Sequence, residues 1–242
     1  MPASALGEFV GTLMLILLGN GVVAGVLLKD SKAHGAGWIV ITAGWAFAVL
    51  AGAAVAIALG APGELNPAGT VANMILGTRS IGEGAVHIVA QFLGAITGAA
   101  LVWLHYLPHW RVTADPDAIR ACFCNAPAIR VSGANLMSEI LATMALVLVG
   151  SALGSAAMAG ASPASNLGPA LAGALVWGIG LSLGGPTGYA INPARDLGPR
   201  IAHALLPIAG KGHSDWGYAW IPVVGPLLGG IGAALLWGQL AG

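Results

Sequence analysis

The sequence predicts an all-α membrane protein, with six transmembrane helices plus two re-entrant half-helices in an inverted 3+3 repeat. Three observations carry that prediction. Of 242 residues, 57% are hydrophobic and only 7% charged, with a mean hydropathy of +0.85, whereas soluble domains carry about 25% charged residues. The apolar residues gather in charge-free runs, each at or above the ~20 residues that a spanning helix needs. The tripeptide Asn66-Pro67-Ala68 returns as Asn192-Pro193-Ala194, both times at the end of an apolar stretch. At about 5% per residue type, such a double occurrence points to a duplicated half.

The runs cover 9–28, 35–63, 84–104, 140–194 and 216–242. The fourth is long enough for two passages and breaks at the turn-forming residues 160–163 and at Gly168-Pro169, which gives six spans. The first run reads as a retained helix, because it lacks a basic flank and begins beside Glu8. A net charge of zero without any basic run argues against nucleic acid as a partner. Cys122 and Cys124 lie two apart in a polar connection, too close for an easy mutual disulfide, and no second pair forms a metal site. No cofactor is expected.

The halves align through their first spans. Glu8 matches Glu139, Thr12 matches Thr143, Leu15 matches Leu146 and Gly19 matches Gly150, all at an offset of 131, while the Asn-Pro-Ala motifs repeat at 126. Each half then runs Glu-bearing helix, second helix, motif, third helix. Three spans per half is an odd number, so the second half enters from the opposite side, and the solute path lies at the repeat interface near the midplane. Residues 1–107 form the first repeat, 108–133 a connecting outer loop and 134–242 the second repeat.

Asn is a strong N-cap and Pro is favoured at the first helical position, so each motif reads as the start of a helix. The segments 66–76 and 192–206 are too short to span; they are half-helices that meet tip to tip. The irregular residues before them, 60–65 and 184–191, must line a wet cavity to satisfy their carbonyls. Glu8 and Glu139 occupy matched places in apolar spans, where ionisable groups are expensive. Each carboxylate is expected to accept backbone N–H groups from the irregular loop of its own half.

These residues resemble the aquaporin or major intrinsic protein family over almost the whole chain, from Gly7-Glu8 to Gly225-Pro226. The extension Asn192-Pro193-Ala194-Arg195-Asp196, with Arg200 beyond it, is similar to the aquaglyceroporin branch that includes bacterial glycerol uptake facilitators. Pro222-Val223 fits the same branch, where water channels usually carry two aromatics. The resemblance implies a selectivity filter of Trp45, Gly180, Tyr189 and Arg195. Two aromatic walls would face the carbon skeleton of a polyol while Arg195 donates to its hydroxyls. The Asn66 and Asn192 amides would donate at the centre, so that a neutral solute exchanges water contacts for wall contacts. The converging half-helix N-termini and Arg195 would repel cations and protons.

Where the family commonly has His two residues before the first Asn, this chain has Glu64. It is expected either to bond within its loop or to face the inner vestibule and repel carboxylates. The connection from His105 to Gly133, with charges of both signs, reads as a solvated loop; the resemblance places it over the outer vestibule. His87 reads as a packed or helix-bonded histidine. The pairs Gly7/Gly11, Gly21/Gly25 and Gly94/Gly98 allow close helix packing. The resemblance further implies a homotetramer in the cell membrane with both termini cytoplasmic. The positive-inside rule points the other way, since Arg79 would lie inside while Lys29, Lys32, Arg111, Arg120, Arg130 and Lys211 lie outside; the duplicated motifs favour the family topology.

The implied activity is passive diffusion of glycerol, water and other small uncharged solutes, with membrane lipids around the chain. An intramembrane enzyme would need a nucleophile beside a base, and a coupled transporter a titratable relay in the pore. A junction-type member would narrow a pore that Gly180 widens. The alternative within the channel class is a facilitator for small neutral acids, such as protonated lactic acid, or for dihydroxyacetone.

Overall fold

The computed structural model describes residues 3–155 and 167–241. Among these, the chain is helical throughout its regular structure: α1 Ala3–Leu27, α2 Trp38–Ala58, α3 Pro67–Ile75, α4 Ile81–His105, α5 Leu107–Val112, α6 Pro116–Ala121, α7 Ser132–Leu153, α8 Gly168–Leu183, α9 Pro193–Leu205 and α10 Ile221–Ala241. Five of them, α1, α2, α4, α7 and α10, have 21 to 25 residues and the hydropathy of a membrane span. Apolar side chains such as Phe47, Val89, Leu141 and Leu235 lie exposed on them, as befits helices whose solvent is lipid rather than water. The sixth passage is α8, described over 16 residues; the expected break at 160–163 lies outside the described residues.

The two short helices begin where the motifs do. Asn66 caps α3 at φ −152° and ψ 114°, and Asn192 caps α9 at φ −157° and ψ 111°, each followed by Pro at the first helical position. Packing repeats with the sequence. In one half α1 packs on α2 and α4, in the other α7 packs on α8 and α10, and α2 meets α8 between them. Each half-helix also packs against the third span of the opposite half, α9 on α4 and α3 on α10. Small residues permit this: a Cβ on Gly198 would stand 2.6 Å from Ala95, and one on Gly230 would stand 2.8 Å from the Ala68 carbonyl oxygen.

The same test separates the glycine pairs. A Cβ on Gly11 would sit 2.7 Å from the Gly52 carbonyl oxygen of α2, and one on Gly98 would sit 2.6 Å from the Leu13 carbonyl oxygen of α1. Gly21 does not serve helix packing, since a Cβ there would meet nothing within 4 Å; its carbonyl accepts the Tyr106 hydroxyl at 3.1 Å instead.

The connection after α4 departs from a solvated loop. It forms α5 and α6 and buries Trp110, Ile119, Cys122, Phe123 and Cys124. Its charges lie mostly on the outer face of these short helices, while the apolar residues between them turn inward. Burial pushes both thiols up, Cys124 to about 12, so they are poor nucleophiles and poor ligands. Both are free.

Candidate pore and selectivity filter

The two capping asparagines tie the halves together. The Asn66 Oδ1 accepts Ala68 N–H at 2.9 Å, and the Asn192 Oδ1 accepts Ala194 N–H at 2.9 Å and Arg195 N–H at 3.2 Å. Their amide nitrogens cross over. Asn66 Nδ2 donates to the Ile191 carbonyl and Asn192 Nδ2 to the Leu65 carbonyl, both at 2.8 Å. An amide carries two N–H donors, so one remains on each asparagine, and both residues line a cavity of about 610 Å³.

The turns before the caps share an unusual backbone. Gly63 and Leu65 have φ of 74° and 51°, and their partners at an offset of 126, Tyr189 and Ile191, have 43° and 45°. Left-handed φ is a true outlier for a branched residue such as Ile191 and costs about 1–3 kcal/mol per residue. Carboxylates hold these turns. Glu8 accepts Glu64 N–H at 2.9 Å and Leu65 N–H at 2.7 Å; Glu139 accepts Ala190 N–H at 3.0 Å and Ile191 N–H at 2.9 Å. Bonds to an ionised acceptor contribute about 1.5–3 kcal/mol each, enough to offset the strain. Both glutamates are at most 1% exposed.

Trp45, Tyr189 and Arg195 line the cavity, whereas Gly180 stands behind the Tyr189 ring rather than on the lining. The guanidinium carbon of Arg195 lies 4.0 Å from the Trp45 ring centroid, and its N–H groups find no hydrogen-bond partner among the described residues. The Tyr189 ring fills the space that a side chain at Gly180 would take: a Cβ there would stand 2.8 Å from Tyr189 Cζ. Trp38 completes the support, meeting Tyr189 edge-on at 5.8 Å and donating its indole N–H to the Gly180 carbonyl at 3.1 Å. Leu15, Val49, Val147 and Val176 give the cavity apolar lining, and Asn66, Asn192 and Arg195 give it polar lining.

Asp196 and Arg200 stand behind the filter. Both are fully buried, and the guanidinium bonds Asp196 through Nε at 2.8 Å. Arg200 also donates to the carbonyls of Ser214, Asp215 and Asn125, and Asp196 accepts the Asn125 N–H at 2.7 Å. The pair thus ties the connection after α4 and the connection after α9 to the half-helix that carries Arg195. Pro222 is buried in the first turn of α10 and Val223 is half-buried there; neither lines the cavity.

Glu64 also lines the cavity, with Asn73 and Thr78. Its side chain is 5% exposed and bonds within its own turn and helix. It accepts the Thr70 hydroxyl at 2.7 Å, Asn73 Nδ2 at 2.8 Å and Arg79 Nε at 3.4 Å. His87 is buried and bonds no carbonyl of its helix; its Nδ1 lies 3.5 Å from Glu64 Oε2. Gln91, one turn further along α4, donates to Glu8 and to Thr70, both at 2.9 Å. Sequence reasoning missed Gln91, Trp38 and Asn125. The spacing of His87 and Gln91, two polar residues on one face of an apolar span, was the available signal for the first; Trp38 and Asn125 had none.

Comparison with known proteins agrees with this fold. The family model described as Major intrinsic protein matches residues 2–237. The chain is 52% identical to a probable glycerol uptake facilitator protein of Thermotoga maritima over 97% of this chain and 98% of that one. It is 38% identical to a D/L-lactic acid transporter of Lactiplantibacillus plantarum, over 97% and 96% respectively. Its fold is similar to the X-ray structure of the aquaglyceroporin from Plasmodium falciparum, with a TM-score of 0.86 at 25% identity, covering 99% of this chain and 96% of that one.

Proposed function

The chain belongs to the major intrinsic protein family, and from that premise we propose that it is a passive channel for glycerol, other small uncharged polar solutes and water. The observation that carries this reading is the two-sided filter. A polyol lying on its edge places carbons against Trp45 and Tyr189 while its hydroxyls take the unengaged donors of Arg195. Further along, the spare N–H of Asn66 and of Asn192 and the loop carbonyls continue the exchange of water contacts for wall contacts. Weak, repeated binding lets the solute leave as readily as it enters.

Ions are excluded by the same parts. Two half-helix N-termini, each equivalent to roughly half a positive charge, converge at the asparagines, and Arg195 adds a full charge. Cations and protons meet that barrier, while anions must shed water into a partly apolar filter. Glu8 and Glu139 act as loop supports, and Asp196 and Arg200 act as anchors of the outer cover. Pro222 and Val223 support the last span. Glu64, with both oxygens taken by Thr70, Asn73 and Arg79, serves its own turn and helix, and Glu64→His is expected to leave the ratio of organic-acid to glycerol flux unchanged.

The protein is an integral membrane protein, placed here in the cell membrane with both termini cytoplasmic and as a homotetramer with a pore in each subunit. No catalytic step is assigned to it. A second reading, a facilitator for protonated small acids, is favoured by the similarity to the lactic acid transporter. Stopped-flow swelling of proteoliposomes with water, glycerol and lactic acid at two pH values separates the two. Glycerol flux no greater than in empty liposomes would sink the main reading.

A further inference from the structure

We propose that Glu8, Glu64, His87 and Gln91 form a binding site for a divalent transition-metal ion of the zinc class, buried behind the cavity lining at Glu64. The count of lone pairs carries it. A carboxylate offers about four acceptor sites. Glu8 accepts three N–H groups, from Glu64, Leu65 and Gln91; Glu64 accepts three donors, from Thr70, Asn73 and Arg79. One site remains on each. His87 Nδ1 and Gln91 Oε1 are buried with no hydrogen-bond partner, His87 being 1% and Gln91 0% exposed. Ligand atoms of Glu8, Glu64 and His87 all lie within 4.8 Å of one another. Ligand atoms of three residues thus converge, and with its proton on Nε2 the His87 ring turns the Nδ1 lone pair toward Glu64 Oε2, 3.5 Å away, an arrangement that a cation satisfies.

Charge points the same way. Both oxygens of each carboxylate accept hydrogen bonds, and among the described residues the guanidinium in contact is that of Arg79 at 3.4 Å. Buried charge without compensation is expensive. An imidazole nitrogen with two carboxylate oxygens matches the zinc class, and the Gln91 amide oxygen offers a fourth position. The absence of a second cysteine pair made the sequence look metal-free; these ligands come from α1, the turn and α4 instead.

Zinc bonds of ~2.0–2.2 Å require the ligand atoms to close in. α1 and α4 are locked by Gly94 and Gly98, where a Cβ would clash with the α1 backbone, so Glu64 on the turn is the ligand that moves. Drawn toward α4, it leaves Asn73 and Arg79 and shifts the turn that presents the Leu65 carbonyl. Metal occupancy therefore slows solute passage; that consequence rests on the channel reading, whereas binding does not.

Calorimetric titration of the purified full-length chain in detergent with zinc chloride tests the site. One saturable site per chain is expected, with affinity lower by at least about 100-fold in His87→Gln, since losing a direct ligand exceeds the ~10–100-fold cost of an outer-shell partner, and restored to within about tenfold in His87→Cys, whose thiolate ligates zinc. Zinc should slow glycerol flux of the unmodified chain at least twofold but not that of His87→Gln, whose metal-free flux is unchanged. No saturable binding, or equal affinity in His87→Gln, would overturn the site, with water or a proton on His87 filling the gap. Binding without any effect on flux would overturn the coupling to the turn. Metal-free chain that passes no glycerol would count against the channel reading while calorimetry still decides the site.

Discussion

The Arg195 guanidinium carbon sits over the Trp45 ring, 4.0 Å from its centroid, so the ring that offers apolar lining also positions the polar group. A cation–π contact of this kind contributes about 0.5–2 kcal/mol. Trp45→Leu keeps an apolar surface but releases the guanidinium. Glycerol permeability in proteoliposomes should fall by about tenfold, ~1.4 kcal/mol of barrier, with a smaller loss for water.

Gly180 makes room for Tyr189. A methyl there would stand 2.8 Å from Tyr189 Cζ and 3.0 Å from Thr42 Cγ2, so Gly180→Ala must push the ring toward the lumen. Stopped-flow measurements should show glycerol flux reduced severalfold more than water flux; equal losses would mean that the ring does not bound the path.

Glu139→Gln replaces one of two charged acceptors by an N–H₂ group that faces the N–H of Ala190 or Ile191. At about 1.5–3 kcal/mol per charged bond, the strained turn loses its hold. The variant should melt earlier in detergent and conduct less, and Glu8→Gln should do the same through Glu64 and Leu65. Unchanged melting and flux in both would exclude the supporting role.

Asp196 and Arg200 form a buried pair, and removing one partner of such a pair costs about 3–5 kcal/mol. Arg200→Met also strands the carbonyls of Asn125, Ser214 and Asp215. Monodispersity and thermal melting should therefore be worse in Arg200→Met than in Asp196→Asn. The double change Asp196→Leu with Arg200→Met should be no worse than Arg200→Met alone.

Arg130 and Asp215 join the two outer connections, with Arg130 Nη1 donating to Asp215 Oδ1 at 3.3 Å. Burial alone would push the Asp215 carboxyl up, but the hydrogen bond and charge of Arg130 hold it below its ordinary 3.8. A depressed carboxylate stabilises fully above its unfolded value and loses that contribution as pH falls through the folded one. Arg130 is half-exposed, so the effect is within ~0.2–1 kcal/mol. Melting curves of the unmodified chain and Asp215→Asn should differ at pH 7 and draw together only as pH falls below 3.8.

Much of this was legible in the sequence because the bilayer leaves few solutions. Charge-free runs must be helices there, and a repeated Asn-Pro-Ala sets where two short ones begin. Glu8 and Glu139 were visible because a carboxylate in an apolar span needs a partner, and the backbone just before each motif was the group left in need. Two things were not legible. Residues 105–133 look polar when their charges are counted, yet Trp110, Ile119 and Phe123 fold inward between those charges, a pattern too short and irregular to show a period. The role of Asp196 and Arg200 depends on Asn125, which lies 71 residues from Asp196, and no local signal marks a contact of that range.

Each left-handed turn is braced by the first helix of its own half, but its carbonyl is claimed by the asparagine of the other half. A single half, expressed alone, could shape its turn without ever closing a channel. Assembly of the conducting path is therefore a late, bimolecular-like event within one chain, and two separately synthesised halves that find each other in the membrane should regain it.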